Sequence, residues 1–316
     1  MTTFGDALYQ YGGQPVGPLG VGNVYYVVDS GESYYDAYIR DRQGTYKNDD
    51  SAIVHTTIQS ALDVTVECRN DYVIVQPKNT DYELTTALTL SKKCVHLICP
   101  AGLGNDVGSN NACRLDQNTS TLAVFTVSDA AVEIGGFYIK NDPGYTALDL
   151  AQNAYAPNIH HNSFIMLYSS TTGEPAIDNV VTGNSLNDGG SWGSIERNWF
   201  VGAQSFTTLA KIINYHGNCT AGRIRYNEVT IGDGGTVTCA FYNNSVKGSC
   251  DYNVFKSGGG ASGGTFTHCV HVHTSGSAVG NRATALEGCI VTGGTDEVSF
   301  SDNMNSVAGG AVDDQD

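Results

Sequence analysis

The chain has 316 residues, with 16 Lys plus Arg against 32 Asp plus Glu and a formal net charge of −16. That balance leaves no basic patch for a nucleic-acid backbone, and no apolar run is long enough to span a bilayer. Charged residues reach only 15%, against about 25% in an average domain, while Gly numbers 38 and Asn 25. Few charges and many turn formers fit short strands joined by tight corners and argue against a helical enzyme.

Residues 1–48 lack strand periodicity. They are rich in glycine, hold two of the seven prolines, and mix in Phe4, Leu8, Tyr9, Tyr11, Val16 and Leu19. Such a segment builds no core of its own and reads as an extended arm. Leaving Phe, Leu and Tyr in water is costly, so the arm is expected to dock these side chains on another protein. Residues 24–46 then bring a dense run of tyrosines, Tyr25 and Tyr26 first. A hairpin or small platform is expected there, with its tyrosines in the same contact surface.

The stretch from Asp50 to Pro77 organises the rest of the chain. Val54, Ile58, Ala61, Leu62 and Thr65 form a helical apolar stripe, capped by Asp49, Asp50 or Ser51, which predicts a helix over about 51–67. Arg69-Asn70-Asp71 breaks it, and Tyr72 to Gln76 is a β-branched strand stopped by Pro77. A helix before a series of short strands closes the open end of a solenoid.

The acidic cap, the Ile58-Gln-Ser-Ala-Leu62 helix and the Val73-Ile-Val75-Gln-Pro77 strand resemble the opening of pectate-lyase-like right-handed parallel β-helix proteins. That superfamily includes carbohydrate lyases and hydrolases, and also tailspikes and other virion proteins of tailed bacteriophages. The resemblance implies an all-β fold, a right-handed parallel β-helix (solenoid) with an N-terminal capping α-helix and an extended N-terminal arm. The expected organisation is arm and platform over 1–48, β-helix over 49–305, and an acidic tail over 306–316.

Beyond residue 70, apolar runs recur at Val73–Val75, Leu84–Leu90, Val95–Cys99, Leu122–Val127 and Val132–Ile139. A phrase then repeats in which apolar residues flank an asparagine. It is centred on Asn162, Asn198, Asn227 and Asn253, with Gly135 in the Asn place of an earlier copy and Asn303 as a late echo. From Gly135 onward the centres are 27, 36, 29 and 26 residues apart, the period of stacked coils. Gly and Asn share a tolerance for left-handed backbone, so the Asn is expected at a left-handed corner between two strands. At about 4.8 Å and about 25 residues per coil, residues 70–305 predict about nine coils and a rod of about 45 Å.

Nine cysteines (68, 94, 99, 113, 219, 239, 250, 269, 289) show no CxxC spacing. They are expected to be free thiols, with the later ones stacked in the solenoid core. Two constellations offer chemistry. Asp149 and Asp178 lie 29 residues apart, so stacking could place two carboxylates on neighbouring coils, as glycoside hydrolysis requires. His271 and His273 would share one face of a strand and could ligate a metal across a three-fold axis. A solvated Asp pair and unligated histidines are the simpler readings. No cofactor is expected, and no catalytic residue is assigned.

Taken with the resemblance, these features predict a noncatalytic bacteriophage virion protein, a capsid decoration or cement protein. It would be trimeric, bound to the major capsid protein through its arm, and would project its β-helix from the virion surface. Synthesis in the host cytoplasm without a signal peptide, and no membrane or nucleic-acid partner, are the matching expectations. The alternative is a tailspike that binds or depolymerises host surface glycan.

Overall fold

A computed structural model describes residues 22–42, 52–102, 113–117, 122–141, 145–166, 174–179, 189–202, 208–215, 219–232, 235–257, 264–272, 276–284, 290–293, 299–301 and 304–305. These build three parallel sheets of eleven, nine and eight strands, and the chain visits the sheets in rotation. Each of the eight third-sheet strands ends one full coil, so the fold is a parallel β-helix. Strands alternate inward apolar and outward polar residues, as in Ser194–Glu196 and Arg223–Arg225. One continuous core results, running from Tyr25 to Ala278.

The core is layered by residue type. Phe164 and Phe200 stack face to face at 4.9 Å, and Phe200, Phe241, Phe255 and Phe266 continue the column with centroids 5.1–6.0 Å apart. Cys99, Cys113, Cys219, Cys239 and Cys250 are buried thiols. The free-thiol expectation fails at Cys269, and two of the early cysteines lie outside the core. Cys68 is exposed, Cys94 is only partly buried, and Cys269 is disulfide-bonded.

The repeated asparagine has a different job from the one its tolerance of left-handed backbone implied. The left-handed residue is the one before it: His161, Arg197, Tyr226 and Tyr252 have φ of 54° to 57°, and Gly280 has 64°. Asn162, Asn198, Asn227, Asn253 and Asn281 are buried directly after these corners. Each uses its side chain to join coils. Asn162 donates its backbone N–H to Asn198 Oδ1 (3.0 Å), Asn198 to Asn227 (2.9 Å), Asn227 to Asn253 (3.0 Å) and Asn253 to Asn281 (3.0 Å). Gly135 is not part of this ladder, because strand pairing sets it opposite His160, and Phe137 takes the asparagine's place. Gly136 (φ 85°) supplies that coil's corner, where a Cβ would lie 2.1 Å from the Cys99 carbonyl oxygen.

Two boundaries move at the N-terminal end. Val24–Val27 is no hairpin but a strand of the first sheet, inserted between Val54–His55 and Asp71–Val75. The first sheet therefore includes a strand that precedes residue 49. The helix spans Ile58–Val64, shorter than the expected 51–67, because Val54–His55 pairs in the sheet and Thr57 is the cap, accepting from the Ser60 N–H. Ile58, Ala61 and Leu62 are its buried residues, and it packs on strands Val24–Val27, Asp71–Val75 and Leu88–Leu90. Lys92 Nζ donates to the carbonyls of Asp63 (2.6 Å) and Thr65 (2.7 Å) at its C-terminal end, where a cation is favoured. Tyr35–Asp41, in the tyrosine-rich segment, is a second short helix. The buried Asp71 carboxylate ties this end together, accepting from Asn23 N (2.8 Å), Val66 N (2.7 Å) and Arg69 (2.7 and 2.8 Å).

Candidate functional site on the third sheet

Parallel in-register pairing sets one residue of each coil directly above the next. On the outer face of the third sheet this rule aligns Asp149, Asp178, Asn214, Tyr242 and His271. Asp149 and Asp178 thus lie on adjacent coils, as their spacing allowed. With strands about 4.8 Å apart, the two carboxylates repel each other. Burial, then the Asp178 and Glu174 charges, push the Asp149 carboxyl up to about 6. Asp178 Oδ1 accepts from Asn214 Nδ2 at 2.8 Å. Asn214 Oδ1 accepts in turn from Lys211 Nζ (2.8 Å), which stands 3.6 Å from the Tyr242 ring centroid. Burial holds the Lys211 ammonium below its ordinary range, and Tyr242 stacks on His271 at 4.4 Å.

The resulting stripe carries a carboxyl tuned toward neutrality, a second carboxyl, an amide, an ammonium and two flat rings. Such a set can hydrogen-bond a polyhydroxylated chain and stack on its rings, and its carboxyl pair has the makings of an acid and a base. Lys211, Asn214 and Tyr242 were missed from sequence. Carrying the 36-residue coil interval forward from Asp178 to Asn214, and the 29-residue interval back from His271 to Tyr242, would have found the last two.

The pair has a measurable signature. A carboxyl with a folded pKa near 6, above its unfolded value of 3.8, favours folding fully below 3.8, and that benefit is lost as pH rises through 6. Asp149→Asn is expected to raise stability at pH 7 by roughly 1 kcal/mol, after discounting for solvent screening of a partly exposed group, and to change it little at pH 4. Urea melts at the two pH values measure this, and equal effects at both would show that the Asp149 carboxyl is not raised.

A second polar cluster lies on the first sheet. Glu133 bridges His96 Nδ1 (2.6 Å) and His160 Nε2 (2.7 Å), and His160 Nδ1 meets His161 Nδ1 at 2.9 Å. Burial alone would raise the Glu133 carboxyl, but hydrogen bonds from His160 and His96 outweigh it and bring it down to about 2. His161 is lowered to about 4 by burial and the neighbouring His160. Tyr72 stacks on His96 at 4.3 Å. Further along, Arg225 Nε donates to Glu196 (2.7 Å) between adjacent coils.

The expected contact residues divide. Phe4, Leu8, Tyr9, Tyr11, Val16 and Leu19 lie outside the described residues. Tyr25 is 1% exposed, so it is a core residue and not a docking one. Its hydroxyl accepts from Arg69 Nη2 at 2.8 Å. Tyr26 is partly exposed, edge-on to Tyr38 at 5.6 Å with Arg42 over its ring. His273 lies outside the described residues, and among those described no group of three or more His, Cys, Asp or Glu is arranged to hold a metal. Set against known proteins, the chain matches no protein-family model, no curated protein and no solved structure.

Proposed function

We propose that this is a structural protein of a bacteriophage virion, a decoration or cement protein on the outer capsid surface. Its N-terminal segment binds the major capsid protein and its β-helix projects outward, as a homotrimer. One observation carries the reading. The strand Val24–Val27 enters the first sheet between Val54–His55 and Asp71–Val75, beside the sheet's first edge. Residues 1–21 therefore join the rod at its first coil, where a tether would hold it end-on. The aromatic and aliphatic side chains in that segment supply the adhesive chemistry. The capsid and the trimer rest on the resemblance of the Asp50–Pro77 stretch to virion β-helices, and the noncatalytic reading on the lack of a recognised hydrolase or lyase motif in the sequence.

A second reading is favoured by the Asp149–Asp178 register. In it the third-sheet stripe grips or cleaves host surface glycan, as in a tailspike. Antibody labelling of intact particles separates the two. Label over the whole head supports the decoration protein, and label confined to the tail overturns it. Glycan cleavage that disappears in Asp149→Ala and Asp178→Ala would overturn the noncatalytic part.

A further inference from the structure

We propose that Cys68 and Cys94 are an oxidisable pair whose disulfide closes the first full coil into a covalent ring. The two residues occupy the same corner on successive coils. Both are left-handed, with φ of 59° and 57°. Both donate their N–H to the next coil's corner, Cys68 to Lys93 O (3.0 Å) and Cys94 to Ala130 O (3.1 Å). Equivalent backbone geometry sends the two side chains in the same direction one coil apart. The coil repeat of about 4.8 Å falls within the range of about 4.4–6.8 Å that a disulfide's Cα atoms span. Burial, then the neighbouring Cys68, raises the Cys94 thiol above its ordinary range. Beside them Glu67 and Lys93, again one coil apart, form an ion pair at 2.8 Å.

Position and access set this pair apart. At later coils the same left-handed corner holds Ala131, Ala156, Trp192, Ala221 and Lys247, so among the described residues sulfur appears at this corner only at the rod's first end. Cys68 is exposed and Cys94 partly so, whereas Cys99 and Cys113 are buried. Between the two thiols run Asp71–Val75, Tyr82–Leu84 and Leu88–Leu90, one strand of each sheet. Tyr82–Leu84 and Leu88–Leu90 are edge strands of their sheets, and edges open most easily, so a bond across this coil's ends acts where the solenoid is weakest.

With a small-molecule disulfide as oxidant, the step balances. The Cys68 thiolate attacks one sulfur of oxidised glutathione, forming a mixed disulfide and releasing one reduced glutathione. The Cys94 thiolate then attacks Cys68 sulfur and displaces the second. Two protein thiols are oxidised with loss of two protons, and one glutathione disulfide is reduced to two thiols.

The test treats the folded full-length protein with oxidised glutathione and maps peptides without reduction. A Cys68–Cys94 cross-link is expected, with the protein lighter by two hydrogens and no glutathione retained. Protease cleavage within residues 68–94 should slow by about tenfold or more. Cys94→Ser should instead retain one glutathione on Cys68. A stable glutathione adduct on Cys68 of the unsubstituted protein, or a cross-link to a different cysteine, would overturn the proposal. Because mapping of the unsubstituted protein decides between these results, a misfolded variant leaves the test intact.

Discussion

Replacing Asn198 with Ala is expected to cost about 3–5 kcal/mol. The side chain is 2% exposed, and its Oδ1 accepts from both the backbone N–H (3.0 Å) and Nδ2 (3.1 Å) of Asn162. Its own Nδ2 donates to Ile159 O (2.9 Å) and Asn227 Oδ1 (3.1 Å). Alanine leaves the buried Asn162 N–H and the Ile159 carbonyl without these partners, at about 1–3 kcal/mol for each group. Asn198→Gly should cost at least as much, because the residue does not hold the left-handed corner. Arg197 does, at φ 55°, so Arg197→Gly should be neutral or stabilising by up to about 1 kcal/mol. Denaturant melts of the three variants separate the two roles. A tolerated Asn198→Gly would return the asparagine to the corner.

The second large effect lies in the aromatic column. Phe200 is fully buried, stacked on Phe164 on one side and edge-on to Phe241 at 5.8 Å on the other. Phe200→Ala removes the ring and opens a cavity between coils that the rigid ladders on either side cannot close, for about 3–5 kcal/mol. Phe200→Leu refills most of that volume and should cost about 1 kcal/mol. Thermal or urea unfolding checks both. Similar losses for Ala and Leu would mean that stacking geometry outweighs volume.

How far the fold could be read from sequence depended on which residue carried the signal. Asn162, Asn198, Asn227 and Asn253 recur because each must meet the next, so their spacing revealed the coils directly. The reason for the asparagine was misassigned, since Asn tolerates left-handed backbone and also offers an amide that fits a ladder. Only the three-dimensional register separates those two properties, and it shows the strained position filled by His161, Arg197, Tyr226 and Tyr252. Asn281 was missed because Arg282-Ala283 follows it where earlier copies have a large apolar residue two places on. Val24–Val27 was not recognised as a solenoid strand because its partners are Val54–His55 and Asp71–Val75, and pairing at such separations leaves no local periodicity.

The candidate site was half legible. Asp149 and Asp178 were found by their spacing alone, because identical residues on one column stand out. Lys211, Asn214 and Tyr242 differ from coil to coil, so no repeated letter marks them. The Glu133 cluster was hidden in the same way, since His96, Glu133 and His160 come from three consecutive coils and share no motif. Tyr25 misled because a tyrosine beside a glycine-rich arm reads as adhesive, whereas its ring fills the core and its hydroxyl meets Arg69.

The anchored-rod proposal is tested most directly by a reconstruction of the particle that carries this protein. Rods should stand over the head lattice with the Val24–Val27 end against the shell and the Ser299–Ser301 end outward. Rods found only at the tail, or seated on the shell by the Ser299–Ser301 end, would contradict it.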